Sequence, residues 1–421
     1  MILTQKDPGA AADIPGAVYQ ISFAPEPKFS RAFPMWNELH DYIEKVADQF
    51  NIVPHVKFSM SWKESVWVPE SSCWRVILRD CTTGNTFTQM CKVLISATGH
   101  LVNPKQLEVQ GKPVFKGKIV HSSTAVQLVP GILNHVKECT QIQRAPQWIL
   151  HRPNPKIPIT ILQLLTRVPF LFTILRTVLF AVAESFFHIL GKKIPQMSRK
   201  YLQQHEVPEE YYDLLTPSYR PGCKRLVFAP EYLECLKDPK MHLIQDEIAF
   251  LRETALVTRS GKEYACDILI LAHGFESETF TFPLKGRNGT TPDDHWAVAG
   301  GPSCYKGIAM HDFPNFFMIR GPNMASGHNS VIWYIEATVE LILNVITPLL
   351  RGELNHVEVT AEAESKYVDK VQAACRRGVW GSGCHTYYVT ENGWNHTMYP
   401  WNSYSLWWFR FVNKQDWTMI V

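Results

Sequence analysis

Two stretches of the chain end in a turn of the kind that brings backbone close to a ligand. They are "CKVLISATG", Cys91–Gly99, and "CDILILAHG", Cys266–Gly274. Both read Cys, a charged residue, an apolar run, Ala, one variable residue, Gly. In open α/β sheets, ligands sit beyond the carboxyl ends of strands that close on such turns. Ligand binding is therefore the chemistry to expect. No GxGxxG, P-loop, HExxH or GxSxG pattern occurs, and the one GxG, Gly381-Ser-Gly383, has no strand before it. The ten cysteines form no CxxC pair, and no His stands at zinc spacing from a Cys pair, so no metal site is expected. Scattered thiols point to a reducing compartment. Asn288-Gly-Thr290 and Asn395-His-Thr397 match a glycosylation pattern that is frequent by chance.

The elements that must position these turns are legible in outline. Residues 36–50 carry an apolar stripe at Leu39, Tyr42, Ile43, Val46, Ala47 and Phe50, which predicts a helix. "CWRVILRD", the turn "CTTGN" and "TFTQMCKVLISATGH" predict a hairpin whose last run is buried on both faces. "IAFLRETALVTRSGKEYACDILILAHGF" repeats that plan with a turn at Ser260-Gly261 and a second buried run. Two echoes with matching upstream hairpins predict two related α/β halves. Between them lie a helix near Gln127–Val136, a strand at "CTQIQ" and an apolar helical region, 157–205. A strand in "FPNFFMIRGPN", a helix over 330–350 and a ring-rich irregular C-terminus follow.

The 421 residues suffice for two or three domains. Hydrophobic residues at 46% and charged residues at 19% are ordinary globular values, which argues against disorder. A net charge of +3 without a Lys/Arg block argues against nucleic acid. The N-terminal "MILTQKDPGAAADIPG" is not read as a secretory signal. The run Ile159–Leu190 is interrupted by Arg167, Pro169, Arg176 and Glu184. It is read as a buried or membrane-touching helical hairpin, and not as a span.

Taken together, "DPGAAADIPGAVYQISFAP", "LISATGHLVNP", "FKGKIVHS", "QRAPQWILHRPN", "LTPSYRPGCKRLVFAPEYLECL", "FPNFFMIRGPN" and "GHNSVIWYIE" resemble the flavin-containing monooxygenases of the Baeyer–Villiger type, in particular the fungal secondary-metabolism branch. The resemblance covers nearly the whole chain. "FKGKIVHS" is similar to the family's Phe-x-Gly-x-x-x-His fingerprint. The resemblance implies two dinucleotide-binding, Rossmann-like domains, with an NADPH domain inserted in an FAD domain. Residues 1–110 and 276–421 would form the FAD-like part. Residues 111–275 would form the NADPH-like part, including helical region 157–205. The implied cofactors are FAD and NADPH. The implied reaction is oxygenation of a lipophilic ketone by a C4a-peroxyflavin with O2, giving an ester or lactone. Separately from the resemblance, the scattered thiols are read as a cytoplasmic location and the apolar run 159–190 as a peripheral membrane contact. By position, Asp13 and Arg144 match the catalytic acid and arginine, with Asp13 orienting Arg144. Asp13, Ile14 and Tyr19 would touch FAD. Ala11, Ala12, Asp13, Arg144 and Ala145 would line the NADP path. Without the resemblance, Asp13 reads as a turn residue and Arg144 as a surface cation after a strand.

The sequence departs from the family pattern in three places. A first glycine loop would lie upstream of "DPGAAADIPG". In "FKGKIVHSSTAVQLVPG", Phe115–Gly131, the fingerprint runs directly into the residues that follow the family's second glycine loop, and Ala125 stands where the fingerprint has Trp. His273 replaces the usual Thr of Ala-Thr-Gly. Both domains are thus expected to be incomplete and their sheets open. The alternatives are an inactive truncated paralogue, a splice form or a faulty gene model, and a membrane-associated binding protein.

Overall fold

The structure, a computed structural model, describes residues 10–26, 28–99, 103–122, 124–228, 230–275 and 283–421. In chain order the first elements are α1 (Trp36–Gln49), β1 (Met60–Val68), β2 (Cys73–Asp80), β3 (Thr86–Cys91) and β4 (Leu94–Ser96). Then come β5 (Lys118–His121), α2 (Ala125–Ile132), β6 (Cys139–Gln143), α3 (Ile159–Arg167), α4 (Pro169–Leu190) and α5 (Ile194–Gln204). Next are α6 (Tyr212–Leu215), α7 (Pro230–Cys235), β7 (Met241–Gln245), β8 (Ile248–Leu251), β9 (Ala255–Thr258), β10 (Glu263–Ala265) and β11 (Ile268–Leu271). The last are β12 (Leu284–Lys285), α8 (Pro292–Ala299), β13 (Phe316–Met318), α9 (Val331–Leu350), β14 (His356–Val359), α10 (Ala361–Arg377) and β15 (Trp417–Ile420). The α/β class read from the sequence holds.

The chain forms two units. One comprises residues 1–20, 24–44 and 101–276; the other comprises 21–23, 45–100 and 277–421. In the first, β5 pairs with β11 and β6 with β7, both in parallel, while β8–β10 form an antiparallel sheet. Its main core packs Val129 and Leu133 against Tyr201, Leu202, Leu233 and Met241. Gly117, the fingerprint glycine, has a local reason. A Cβ there would stand 2.6 Å from the carbonyl oxygen of Asp267. Without it, Lys118 N donates to that oxygen at 2.8 Å and sets the β5–β11 register.

In the second unit, β12-β1-β2-β3 form one sheet and β4 pairs in parallel with β13. The predicted hairpin is β2–β3, in antiparallel register from Trp74↔Cys91 to Arg79↔Thr86. Trp74 is fully buried and its indole N–H donates to Pro314 O at 2.8 Å. Helix α9 is apolar and long enough to cross a membrane by length and composition. Its Tyr334, Leu341, Ile342, Val345 and Leu349 are core residues of this unit. The ring-rich C-terminus packs on the same core through Tyr399, Phe409 and Trp417.

Burial of the two echo strands differs from the reading. Ile95 of β4 is 40% exposed and Ile268 of β11 is 50% exposed, so neither strand is buried on both faces. Each belongs to a two-stranded parallel ribbon, with no third strand on its free edge among the described residues. Parallel strands are covered on both faces only when a wider sheet carries helices over them. A two-stranded ribbon leaves apolar side chains in water. The turns after the two strands do match. Gly99 and Gly274 have φ of +71° and +92°, and a Cβ at either would meet nothing within 4 Å. Backbone conformation, not crowding, requires glycine at both.

Candidate active site

The segment from Ala10 to Gln20 is irregular and held by backbone bonds. Ala11 bridges Met35, Ala12 N donates to Pro34 O at 2.9 Å, and Gly16 N donates to Ala32 O at 2.7 Å. Ala12 and Ile14 are buried, Tyr19 is half-buried, and the Asp13 carboxylate lies between buried neighbours. Its partner is Arg225, with Nη2 at 2.5 Å from Oδ2. A second cation is close. Arg152 donates from Nη1 to Ala12 O at 2.6 Å, and its guanidinium lies 4.4 Å from the centre of the Phe33 ring. Burial lowers the Arg152 pKa, while Asp13 and Glu231 oppose that shift.

Strand β6 carries the chain into the turn at Arg144–Ala145, both exposed. The Arg144 carbonyl accepts from Gln245 Nε2 at 3.3 Å, and its side chain makes no ion pair among the described residues. Its charge reaches Lys224 and His273. The pKa of each is lowered mainly by burial, and Arg144 adds to both shifts. The structure therefore joins Asp13 to Arg225, and places Arg144 near Lys224, the neighbour of Arg225. A carboxylate facing several cations suits an anionic ligand. Arg152, Lys224 and Arg225 were not singled out from the sequence. They lie in "QRAPQWILHRPN" and "YRPGCKRLVF", but nothing in the spacing shows that residues 139 and 212 positions after Asp13 would meet it.

At the end of β11, His121 Nε2 lies 2.9 Å from Gly274 O, and the His121 and His273 rings are 5.8 Å apart. His273 is half-buried, and a backbone hydrogen bond with Gln106 partly opposes the loss of its proton. Burial, followed by His121, Arg144 and Lys105, lowers its pKa below the ordinary 6.5. The unfolded chain thus takes up this proton at higher pH than the folded one. The contribution is lost as pH falls below 6.5 toward the folded value. His273→Thr should therefore flatten the fall in melting temperature between pH 7.5 and pH 5.5. Some slope will persist, since burial also lowers the pKa of His356. An unchanged slope in scanning calorimetry would remove His273 as a cause.

In the second unit His311, Asp312 and Glu358 bring three ligand-type atoms together. Arg287 occupies the carboxylate, with Nε at 2.9 Å and Nη2 at 2.8 Å from Glu358 Oε2. Asp312 N donates to Oε1 at 2.7 Å. The group is an ion-pair network with its acceptors taken.

No family model matches the chain. Among solved structures, it is similar to cyclohexanone monooxygenase from Rhodococcus sp. Phi1 bound to NADP+, with a TM-score of 0.84 and 18% identity, over 99% of this chain and 91% of that one. An oxidized steroid monooxygenase bound to NADP gives a TM-score of 0.83 at 20% identity, over 99% and 91%. The fold is thus the mixed α/β fold of Baeyer–Villiger monooxygenases. Among curated proteins, a Baeyer–Villiger monooxygenase of Streptomyces coelicolor is 28% identical over 423 residues, covering 93% of this chain and 80% of its own length. An FAD-binding monooxygenase of Botryotinia fuckeliana is 30% identical over 369 residues, covering 78% and 68%. The chain belongs to the flavin-dependent monooxygenase family of the Baeyer–Villiger type.

A dinucleotide needs a turn that lets backbone N–H groups reach its diphosphate, usually a glycine turn at a helix N-terminus. The described residues do not supply one. β5 ends at His121 and α2 starts at Ala125, with no glycine between them, and the N-cap Thr124 makes no side-chain cap. The crevice lined by Ser96, Thr98, Gly99, Arg320 and Gly321 has a volume of about 10 Å³, which holds one water. Among the described residues, neither the start of α2 nor this crevice offers a glycine turn at a helix N-terminus.

Proposed function

We propose that this chain is an FAD- and NADPH-dependent monooxygenase that oxygenates a lipophilic ketone intermediate of fungal secondary metabolism to an ester or lactone. The reading is supported above all by the cluster in which Asp13 holds Arg225 beside Arg152, Lys224 and Arg144. In the family reaction the flavin supplies the redox and oxygen chemistry. The chain's own contribution is electrostatic. Arg144 is a permanent cation on an exposed turn, available to a negative charge that develops on a bound reactant. Asp13 fixes Arg225 and sets the potential across the cluster. Ala11, Ala12, Ile14, Tyr19 and Ala145 line the same segments and would contact the cofactors.

The test is direct. Purified protein reconstituted with FAD should be yellow and should oxidise NADPH without substrate. Arg144→Ala should lower ketone oxygenation by about 10²–10³-fold, the usual cost of removing one electrostatic stabiliser. Because Arg144 is exposed, melting should stay within about 1 °C. A protein that stays colourless at saturating FAD overturns the reading for this form.

The direct passage from β5 to α2 favours a second reading, a form without catalysis: an inactive paralogue, a splice form or a faulty gene model. Transcript sequencing across codons 121–125 separates these. A message that encodes a strand and a glycine loop there restores the first reading.

A further inference from the structure

Helix α4 presents an apolar ridge to solvent. Phe170 is 71% exposed, Ile174 44%, Val178 52%, Val182 60% and Ile189 69%. At the helical repeat these five side chains fall within an arc of about 120°. The other face is anchored. Phe172 and Glu184 are buried, and Phe186 packs with Trp148, Leu150, Ile194 and Leu226 of the first unit. The ridge runs about 30 Å along a 22-residue helix. A contiguous patch of this size marks an interaction surface.

Charge identifies what covers it. Of the chain's 42 Lys and Arg, seven lie between Lys156 and Lys200; of its 39 Asp and Glu, only Glu184 does, and it is buried. The rest of the chain is therefore net acidic. Arg167 stands exposed at the end of α3, two residues before α4, and Lys192 and Lys193 stand exposed just past the end of α4. Cations flanking an apolar ridge are the arrangement of a helix that lies in the headgroup layer of a bilayer, with long basic side chains reaching the phosphates. A partner protein with an apolar groove would not require the basic excess. Arg176 and the buried Glu184 argue against insertion across the membrane.

We infer that α4 docks this protein peripherally on an anionic lipid surface, apolar ridge inward and Arg167, Lys192 and Lys193 at the headgroups. Docking needs neither cofactor nor ketone, so it stands whether or not the proposed oxygenation does. If both hold, the surface gives the enzyme access to ketones dissolved in the bilayer.

Flotation with vesicles tests it. The intact protein should float with phosphatidylcholine vesicles containing 30% phosphatidylserine at 50 mM salt, and at least tenfold less with phosphatidylcholine alone or at 500 mM salt. Val178→Glu with Val182→Glu should abolish flotation. Lys192→Glu with Lys193→Glu should remove the phosphatidylserine dependence. Both double variants should keep the parental melting temperature, because all four side chains are exposed. No flotation of folded protein at low salt overturns the inference. So does flotation unchanged in the variants, or a dimer that the valine variants dissolve without any vesicle binding.

Discussion

Insertion of a short β-strand and a glycine-rich turn after Ser122 is expected to raise the melting temperature and to give the chain measurable affinity for a dinucleotide. β5 passes into α2 through only three residues, and the strands of the first unit remain as separate parallel pairs, β5–β11 and β6–β7. Both pairs lie against one apolar cluster. Phe115, Leu251 and Leu256 take Ile119 of β5, Leu269 of β11 and Ile142 of β6 as neighbours. Strands that share a core but no ladder leave backbone edges to which a further strand could pair. If most of its backbone bonds form at about 1 kcal/mol each, and ordering its residues offsets much of that, a net gain of roughly 2 kcal/mol remains. That corresponds to about 4–8 °C in a unit of this size. The glycine turn would place N–H groups at the start of α2, where a diphosphate can be held. The control is a Gly/Ser linker of equal length. Calorimetry and titration with NADP+ should separate the two insertions. Equal melting points and no titration signal for either would show that the seam does not mark a missing strand.

Glu358→Ala should unfold the second unit about 10 °C early. Glu358 is 4% exposed, and every acceptor direction the structure defines for it is used. Oε2 takes two N–H groups of Arg287, while Oε1 takes the Asp312 amide and lies 3.3 Å from His311 Nδ1. Arg287 Nη2 also stands 2.9 Å from His356 Nε2. Removing the carboxylate leaves a guanidinium and a backbone donor without their acceptor. Breaking a buried pair from one side costs about 3–5 kcal/mol, and the partly open position of Arg287 points to the lower end. At about 2–4 °C per kcal/mol the shift is near 10 °C. Glu358→Gln keeps an acceptor for the Asp312 amide and should recover part of the loss. A double-mutant cycle with Arg287→Ala should give a coupling above about 1 kcal/mol. A loss below that for Glu358→Ala would mean that water replaces the carboxylate and that the network is superficial.

The periodic elements were legible because their signals are local. The stripe Leu39, Tyr42, Val46 makes α1, and its three side chains are buried. The turn Cys81–Asn85 makes the β2–β3 hairpin, since Asp80 Oδ1 accepts from the amides of Thr82 and Thr83. The echo of Gly99 and Gly274 was legible for the same reason. Each follows an apolar run, and each has the positive φ that only glycine adopts cheaply. The seam after Ser122 is a reading of the sequence that the insertion above would test.

Burial and pairing were not legible. The run before Gly99 is as apolar as a covered strand, yet Ile95 is exposed, because cover depends on strands and helices distant in sequence. Asp13 was readable as a candidate acid. That its cation is Arg225 depends on how the irregular segment 10–20 is pinned by Ala32, Pro34 and Arg152. By itself the sequence determined the family pattern and the local elements. Only the tertiary structure decided which charges meet, which strands lack a neighbour and which face of α4 is left in water. Those are sums over contacts between distant residues, and no local pattern encodes them.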